Sequence, residues 1–299
     1  MKERLVILGG GESGVGTAIL GKKKGYEVFV SDFGKIKETY KEVLKNFEIE
    51  WEDGGHSESK ILNADLVMKS PGIPDKASIV KALHNKGVSV ISEIEFASRY
   101  TEATLVAITG SNGKTTTTAL TTYILKNAGL NVEAAGNIGD SFAKMVAEKS
   151  FDTYVLEISS FQLDGIVDFA PHIAILTNIT PDHLDRYDYK FENYIASKFR
   201  IAMNQTEKDY LIYDADDEVI KNWLKENPVR SQLLPFSVKN KMEQGAYLAN
   251  KEIIITLGNT KFNMSTENLT LKGTHNTKNA MAAATASRLL SIRKATIRE

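Results

Sequence analysis

The residues best placed to do chemistry lie between Thr109 and Thr118, TGSNGKTTTT, directly after the apolar run Leu105–Ile108. That run predicts a short buried strand, and Lys114 with its threonines predicts the opening of a helix. A glycine turn between strand and helix is the setting of a phosphate-binding loop. Gly110 and Gly113 let the backbone curl until several N–H groups face one anion, and the helix adds its positive N-terminal end. Lys114 can reach the β- and γ-phosphates of a nucleotide, and the Thr115 hydroxyl can sit on Mg²⁺. The spacing departs from G-x-x-x-x-G-K-[ST], because Ile108 stands five residues before Gly113. A bare Gly-Lys-Thr also occurs as a plain turn before a helix. The strand before it, Gly110 upstream and the long helix after it favour nucleotide binding.

A second glycine loop opens the chain. Gly9, Gly11 and Gly14 match G-x-G-x-x-G after the apolar run 4–9, and Asp32 follows eighteen residues past Gly14, at the end of a strand expected over Tyr26–Ser31. This is the dinucleotide-binding fingerprint, with a carboxylate placed to meet a ribose hydroxyl. On its own it points to an NAD-dependent dehydrogenase. The turn Ser70-Pro71-Gly72 follows the strand expected over Asp65–Lys69, on the same edge as the first glycine loop. It reads equally as a ligand-facing loop or a proline turn.

Three polar clusters follow apolar strands of the second half. Glu157 ends the run Tyr154–Ile158, where a carboxylate is costly unless paired or metal-bound. Asp182, His183 and Asp185 follow the next strand, as ligands or as ordinary loop residues. Lys198 lies on the helix after them, where a lone lysine is usually solvated. With no H-e-x-x-H pattern and no cysteine in the chain, the expected metal is Mg²⁺, held by oxygens and one imidazole. The residues thus point to an ATP- and Mg²⁺-dependent enzyme with a second, nucleotide-like site.

These loops need strands and helices in alternation, and the chain supplies them throughout. The fold class expected is α/β: an N-terminal Rossmann-like domain with a parallel sheet over residues 1–93, and a central P-loop-type mononucleotide-binding domain over 94–299. A polar helix and turn over 93–101 are expected to join them. Shorter, antiparallel strands are expected between Leu233 and Leu271, before a closing alanine-rich helix from Thr277. The net charge of −1 offers nothing to nucleic acid or an anionic membrane. The N-terminus is too short and glycine-rich for a secretion signal, and no apolar run reaches membrane-spanning length. The absence of cysteine rules out disulfides and fits a reducing compartment, so a cytoplasmic protein is expected.

The stretches TGSNGKTTTT (109–118), EISSFQL (157–163), NITPDHLDRY (178–187) and KGTHNTKNAMAA (272–283) together resemble the Mur ligases, which build the peptide stem of peptidoglycan. Ser159-Ser160-Phe161-Gln162-Leu163 and the N-terminal glycine loop are most similar to the members that add D-glutamate to UDP-N-acetylmuramoyl-L-alanine. The resemblance implies an ATP-dependent ligase working through an acyl phosphate. It implies that Ser13 and Gly14 lie near the UDP phosphates, Asp32 near the uridine, and Ser70 and Gly72 beside the same ligand. Asn137, Ser159 and Gln162 would contact the muramoyl-alanine end.

The resemblance further implies that Gly110, Ser111, Asn112, Gly113, Lys114, Thr115 and Thr116 hold the ATP phosphates, with Asn276 and Asn279 on the adenine side. Thr115 and Glu157 would bind one Mg²⁺ and His183 a second. Lys198 matches the family lysine that carries CO₂ as a carbamate metal ligand, so Lys114, Glu157, His183 and Lys198 form the implied catalytic set. Family members carry a third, amino-acid-binding domain after the last helix, so a two-domain, monomeric fragment is expected that binds UDP-substrate but ligates poorly or not at all. The rival readings are the dehydrogenase and a non-catalytic nucleotide-binding module.

Overall fold

The computed structural model describes residues 2–270 and 272–299; the Leu271 limit of the expected strand region lies outside them. The chain divides into two compact units. The first is Met1–Glu102 with Gly139–Ser150 and Phe161–Phe169; the second is Ala103–Ile138, Phe151–Ser160 and Ala170–Glu299.

The first unit alternates strand and helix: β1 (Arg4–Leu8), α1 (Glu12–Lys23), β2 (Glu27–Asp32), α2 (Glu38–Asn46), β3 (Glu50–Asp53), α3 (Glu58–Ile61), β4 (Leu66–Lys69), α4 (Ser78–Asn85), β5 (Ser89–Ile91) and α5 (Glu93–Ser98). The sheet order is β3-β2-β1-β4-β5, parallel throughout. Val6, Leu8, Phe29, Val67, Val80 and Leu83 fill its core. The order reverses between β1 and β4, so the loops after these two strands open a crevice at their carboxyl ends, where ligands of such sheets bind. Gly14 brings α1 against the first loop, since a Cβ there would stand 1.8 Å from the Gly9 carbonyl oxygen.

The second unit begins with β6 (Thr104–Thr109), α6 (Lys114–Asn127) and β7 (Val132–Gly136). Next in the chain come α7 (Phe142–Glu148), which belongs to the first unit and packs on α1, then β8 (Thr153–Glu157) and α8 (Ser160–Asp164). The second unit continues through β9 (Ile173–Leu176), α9 (Phe191–Phe199), β10 (Tyr210–Asp214), α10 (Glu218–Glu226), β11 (Gln232–Ser237), β12 (Gly245–Ala249), β13 (Glu252–Leu257), β14 (Thr260–Ser265), α11 (Thr274–Leu289) and α12 (Lys294–Arg298). Its sheet runs β14-β13-β12-β11-β10-β9-β6-β8-β7. Strand β6 lies between β8 and β9, so the phosphate loop emerges beside the ends of both.

Two expectations need correcting. Strand β11 is parallel to β10 and to β12, and antiparallel pairing begins only at β12–β13; α10 is a crossover helix that returns the chain in the same direction. The helix over 93–98 is not a polar connector, because Glu93 to Ala97 are all buried. Its carboxylates point inward and are hydrogen-bonded there. Glu95 Oε2 accepts the N–H groups of Val167, Asp168 and Phe169 at 2.9–3.0 Å while Oε1 meets Arg99.

Candidate functional site

In the second unit, the candidate residues gather at the strand ends of β6, β8 and β9, the start of α6, and helices α9 and α11. Gly110 is at φ +142° and Gly113 at φ +85°, backbone states that glycine adopts without strain. The loop between them is tied to the turn after β9. Ser111 N donates to the Asn178 carbonyl at 2.8 Å, Asn112 N to Asn178 Oδ1 at 2.9 Å, and Thr177 Oγ1 to the Asn112 carbonyl at 2.7 Å. Ser111 Oγ meets the Thr180 carbonyl and the Tyr194 hydroxyl. Burial pushes the Tyr194 phenol up, although its bond to Ser111 opposes this.

Lys114 opens α6 and folds back over the loop, its Nζ 3.0 Å from the carbonyl oxygens of Gly110 and Ser111. Next to it, Thr115 Oγ1 donates to Glu157 Oε2 at 2.8 Å, and Asn137 Nδ2 donates to Glu157 Oε1 at 2.8 Å. Glu157 is 2% exposed. Its strand is buried on both faces, and it ends where α6 begins, so the carboxylate meets hydroxyl and amide rather than a lysine.

Lys198 is a buried residue, not a solvated one: it is 2% exposed, and its Nζ lies 2.9 Å from the Gly110 carbonyl and 3.2 Å from Thr109 Oγ1, over the Tyr194 ring. Two lysines therefore converge on one loop carbonyl. Asn279 on α11 is buried against the loop, its Oδ1 2.6 Å from where a Cβ on Gly113 would stand. Asn276, one turn earlier, is half-buried and donates to the Lys272 carbonyl.

His183 lies on an exposed turn at φ +49°, three residues past the Thr180 that bonds Ser111, with its Nε2 3.5 Å from Asp182 Oδ2. Asp185 lies in the short turn that follows. Among the described residues no group of three or more His, Cys, Asp and Glu side chains is gathered for a metal. The Thr115–Glu157 pair nonetheless offers oxygen donors only, the chemistry that suits a Mg²⁺ ion. Ser159 is half-buried before α8, while Gln162, in the part of α8 that belongs to the first unit, is 2% exposed.

In the first unit a cavity of about 780 Å³ opens at the β1/β4 crevice, lined among others by Gly9, Ser13, Asp32, Phe33, His56 and Ser70. Gly72 lines it too, and Lys69 braces the Ser70–Pro74 turn by donating to the Ile73 carbonyl at 2.8 Å. Asp32 organises the loops, its Oδ2 accepting Gly10 N at 2.6 Å and its Oδ1 accepting Gly34 N at 2.7 Å. His56 and Phe33 carry no sequence motif, and only the fold shows that they share this cavity.

A sidechain network also holds the β10 end. Lys278 on α11 bonds Asp214 Oδ2 at 2.7 Å and Asp216 Oδ2 at 3.2 Å. Burial raises the Asp214 carboxyl despite that lysine.

Residues 4–79 match the MurD N-terminal domain and residues 108–287 the Mur ligase middle domain. The chain is 67% identical, over its whole length and 67% of the relative's, to a UDP-N-acetylmuramoylalanine--D-glutamate ligase of Christiangramia forsetii. It is 51% identical to the like-named protein of Bacteroides fragilis, covering 99% of this chain and 67% of that one. The chain thus spans about two thirds of the length of these relatives. Among solved structures it resembles UDP-N-acetylmuramate:L-alanyl-gamma-D-glutamyl-meso-diaminopimelate ligase from Neisseria meningitides, at TM-score 0.67 and 19% identity over 100% of this chain and 97% of that one. It also resembles UDP-N-acetylmuramate-alanine ligase from Thermotoga maritima, at TM-score 0.57 and 20% identity over 99% and 67% of the two chains. At such identities these structures speak to the fold alone. No helix among the described residues is long and apolar enough to cross a membrane.

Proposed function

Because this chain belongs to the Mur ligase family, the ATP-dependent C–N bond-forming ligases of peptidoglycan synthesis, we propose that it serves the addition of D-glutamate to UDP-N-acetylmuramoyl-L-alanine in the cytoplasm. In this reading the first unit takes the UDP part of the substrate, with Ser13 and Gly14 near the phosphates, Asp32 near the uridine, and Ser70 and Gly72 at the facing wall. The second unit takes ATP in the loop Gly110–Thr116, with Asn276 and Asn279 toward the adenosine. Asn137, Ser159 and Gln162 are assigned to the muramoyl-alanine end.

The substrate carboxylate attacks the γ-phosphate, giving an acyl phosphate and ADP. The D-glutamate amine then displaces phosphate and forms the amide. The protein's part is to position the groups and balance charge. Lys114, now resting on two carbonyl oxygens, swings to the β- and γ-phosphates, and the loop N–H groups hold the remainder. Thr115 and Glu157 fit a Mg²⁺, which would neutralise phosphate charge when bound. His183 is assigned to a second Mg²⁺. Lys198 is assigned as a carbamate carrier, which exchanges a buried cation for an anionic oxygen donor.

The observation that carries this reading is Lys114 and Thr115 opening a helix beside the buried Glu157 carboxylate. Its test is calorimetric binding of Mg²⁺-ATP to the chain, to Lys114→Ala and to Glu157→Gln. Saturable binding is expected, weakened at least about tenfold by each substitution, with the Glu157→Gln loss confined to titrations that contain Mg²⁺. Unchanged affinity in both variants would refute it.

A further inference from the structure

Between Thr180 and Lys190 the chain leaves the second unit's sheet as a mostly exposed loop that carries His183. His183, Asp188 and Tyr189 lie in left-handed backbone, at φ +49°, +54° and +57°, states that a non-glycine residue keeps only where surrounding contacts impose them. The loop bonds partly to itself. Arg186 N donates to the His183 carbonyl at 3.0 Å, and Tyr187 N and Tyr189 N donate to the Leu184 carbonyl at 3.0 and 2.8 Å.

Both ends of the loop meet at Tyr194 of α9, which is 1% exposed. At the first end, Ser111 Oγ donates to the Thr180 carbonyl and accepts Thr180 N, each at 2.9 Å. A serine hydroxyl has one proton and two lone pairs. The carbonyl takes that proton, so the Tyr194 hydroxyl, 3.1 Å away, is the donor in the remaining bond. Protein groups thereby saturate Ser111 Oγ, and the Asn178 carbonyl takes its N–H. At the second end, the buried Tyr187 packs edge-on against the Tyr194 ring with centroids 5.5 Å apart, and its hydroxyl lies 3.2 Å from Ser197 Oγ on the same helix. One side chain thus holds the start and the end of the loop, and it does so through a residue of the phosphate loop.

We propose that Tyr194 is a positioning residue whose hydroxyl and ring clasp both ends of the His183 loop onto Ser111, so that nucleotide held by the phosphate loop also steadies His183. The proposal rests on the reading of Gly110–Thr116 as the ATP loop and names what links that loop to His183. Nucleotide restrains the backbone that binds it. A restraint on Ser111 passes to Thr180 by hydrogen bonds, and to Tyr187 through Tyr194, so the His183 loop opens less often.

The test is amide hydrogen exchange by mass spectrometry on the full chain, on Tyr194→Phe and on Ser111→Ala, with and without ATP in EDTA. Tyr194→Phe keeps the ring on Tyr187 and removes only the hydroxyl. Without ligand it is expected to speed exchange in peptides spanning 184–190 by about threefold or more. Ser111→Ala is expected to do the same, and the double variant to add little to either. ATP is expected to slow these peptides about threefold or more in the unsubstituted chain, and less than half as much in Tyr194→Phe. The ATP affinity of Tyr194→Phe, by calorimetry, is expected to stay within about threefold of the parent, because Tyr194 meets Ser111 and not the phosphates. Unchanged ligand-free exchange in Tyr194→Phe overturns the proposal, as does ATP slowing that survives there undiminished. A rise spread equally over β10 and β11 would make the role one of general stability and overturns it as well. Absence of ATP binding by the unsubstituted chain refutes the ATP reading and the coupling with it, while the ligand-free comparison still decides the clasp.

Discussion

Replacing Gly110 by alanine tests how tightly the phosphate loop is built. The position has φ +142°, and an added Cβ would stand 2.0 Å from Thr177 Oγ1 and 3.0–3.1 Å from the Asn178 backbone oxygen and nitrogen. Thr177 is 4% exposed and donates to the Asn112 carbonyl at 2.7 Å, with the Thr109 carbonyl oxygen 3.2 Å away, so it cannot rotate away without losing that bond. The backbone strain is about 1–3 kcal/mol, and the displaced hydroxyl adds roughly 1–2 kcal/mol. The expected loss is therefore about 2–5 kcal/mol. Urea unfolding followed by Trp223 fluorescence in a Trp51→Phe background reads the second unit, because Trp223 stacks on Phe199 there. Thr177→Ala alone should cost roughly 1–2 kcal/mol. The double variant should cost about 1 kcal/mol less than the sum, since removing Oγ1 removes the clash. Strict additivity, or Gly110→Ala within about 0.5 kcal/mol of the parent, would refute the steric argument.

Three further outcomes are expected. Glu93 is 1% exposed and accepts from Ser141 Oγ and Ala143 N on Oε1; burial raises its carboxyl against the hydrogen bonds from Ser141, Ala143 and Ser13. An acid raised in the folded state keeps its proton after the unfolded chain has lost it, so its contribution is full below the unfolded value of 4.5 and declines as pH rises from there toward the folded one. Glu93→Gln should flatten that decline in thermal melts from pH 4 to 8, and an unchanged slope would count against a protonated Glu93. Lys278→Met leaves Asp214, 3% exposed, beside no ammonium, and should destabilise by about 2–4 kcal/mol in urea; a loss under about 0.5 kcal/mol would show the pair to be idle. Asp217 caps α10 through Val219 N and Ile220 N and also holds Ile179 N at 2.8 Å. Its change to alanine should cost about 1–2 kcal/mol, measured by the same unfolding, while Asp217→Asn recovers most of the loss.

The two glycine loops, the strands before them and the helices after them were legible because their signals are local. Apolar runs stop at Gly9 and at Thr109, and Gly9, Gly14, Gly110 and Gly113 sit where a Cβ would collide, whereas Gly11 faces open space. Glu157 was legible as an anomaly, a carboxylate in an apolar strand, but its partners Thr115 and Asn137 lie 42 and 20 residues away and are set by strand order. Lys198 illustrates the limit. On its helix it reads as surface, and only the packing of α9 beneath the loop buries it. Glu93 and Glu95 misled in the same way, since two acids near a chain boundary read as solvated until the segment around Phe169 supplies three N–H groups. The return of Gly139–Ser150 and Phe161–Phe169 to the first unit has no sequence signal, being decided by the fit of α7 on α1.

In the proposed function, a dinucleotide-type fingerprint serves a UDP-linked substrate. Calorimetric titration of the chain with UDP-N-acetylmuramoyl-L-alanine, beside NADH and repeated on Asp32→Ala, tests it most directly. Saturable binding of the UDP-substrate is expected, weakened at least about tenfold by losing the carboxylate that holds Gly10 and Gly34, with no binding of NADH. Binding of NADH without the UDP-substrate by the folded protein would contradict it.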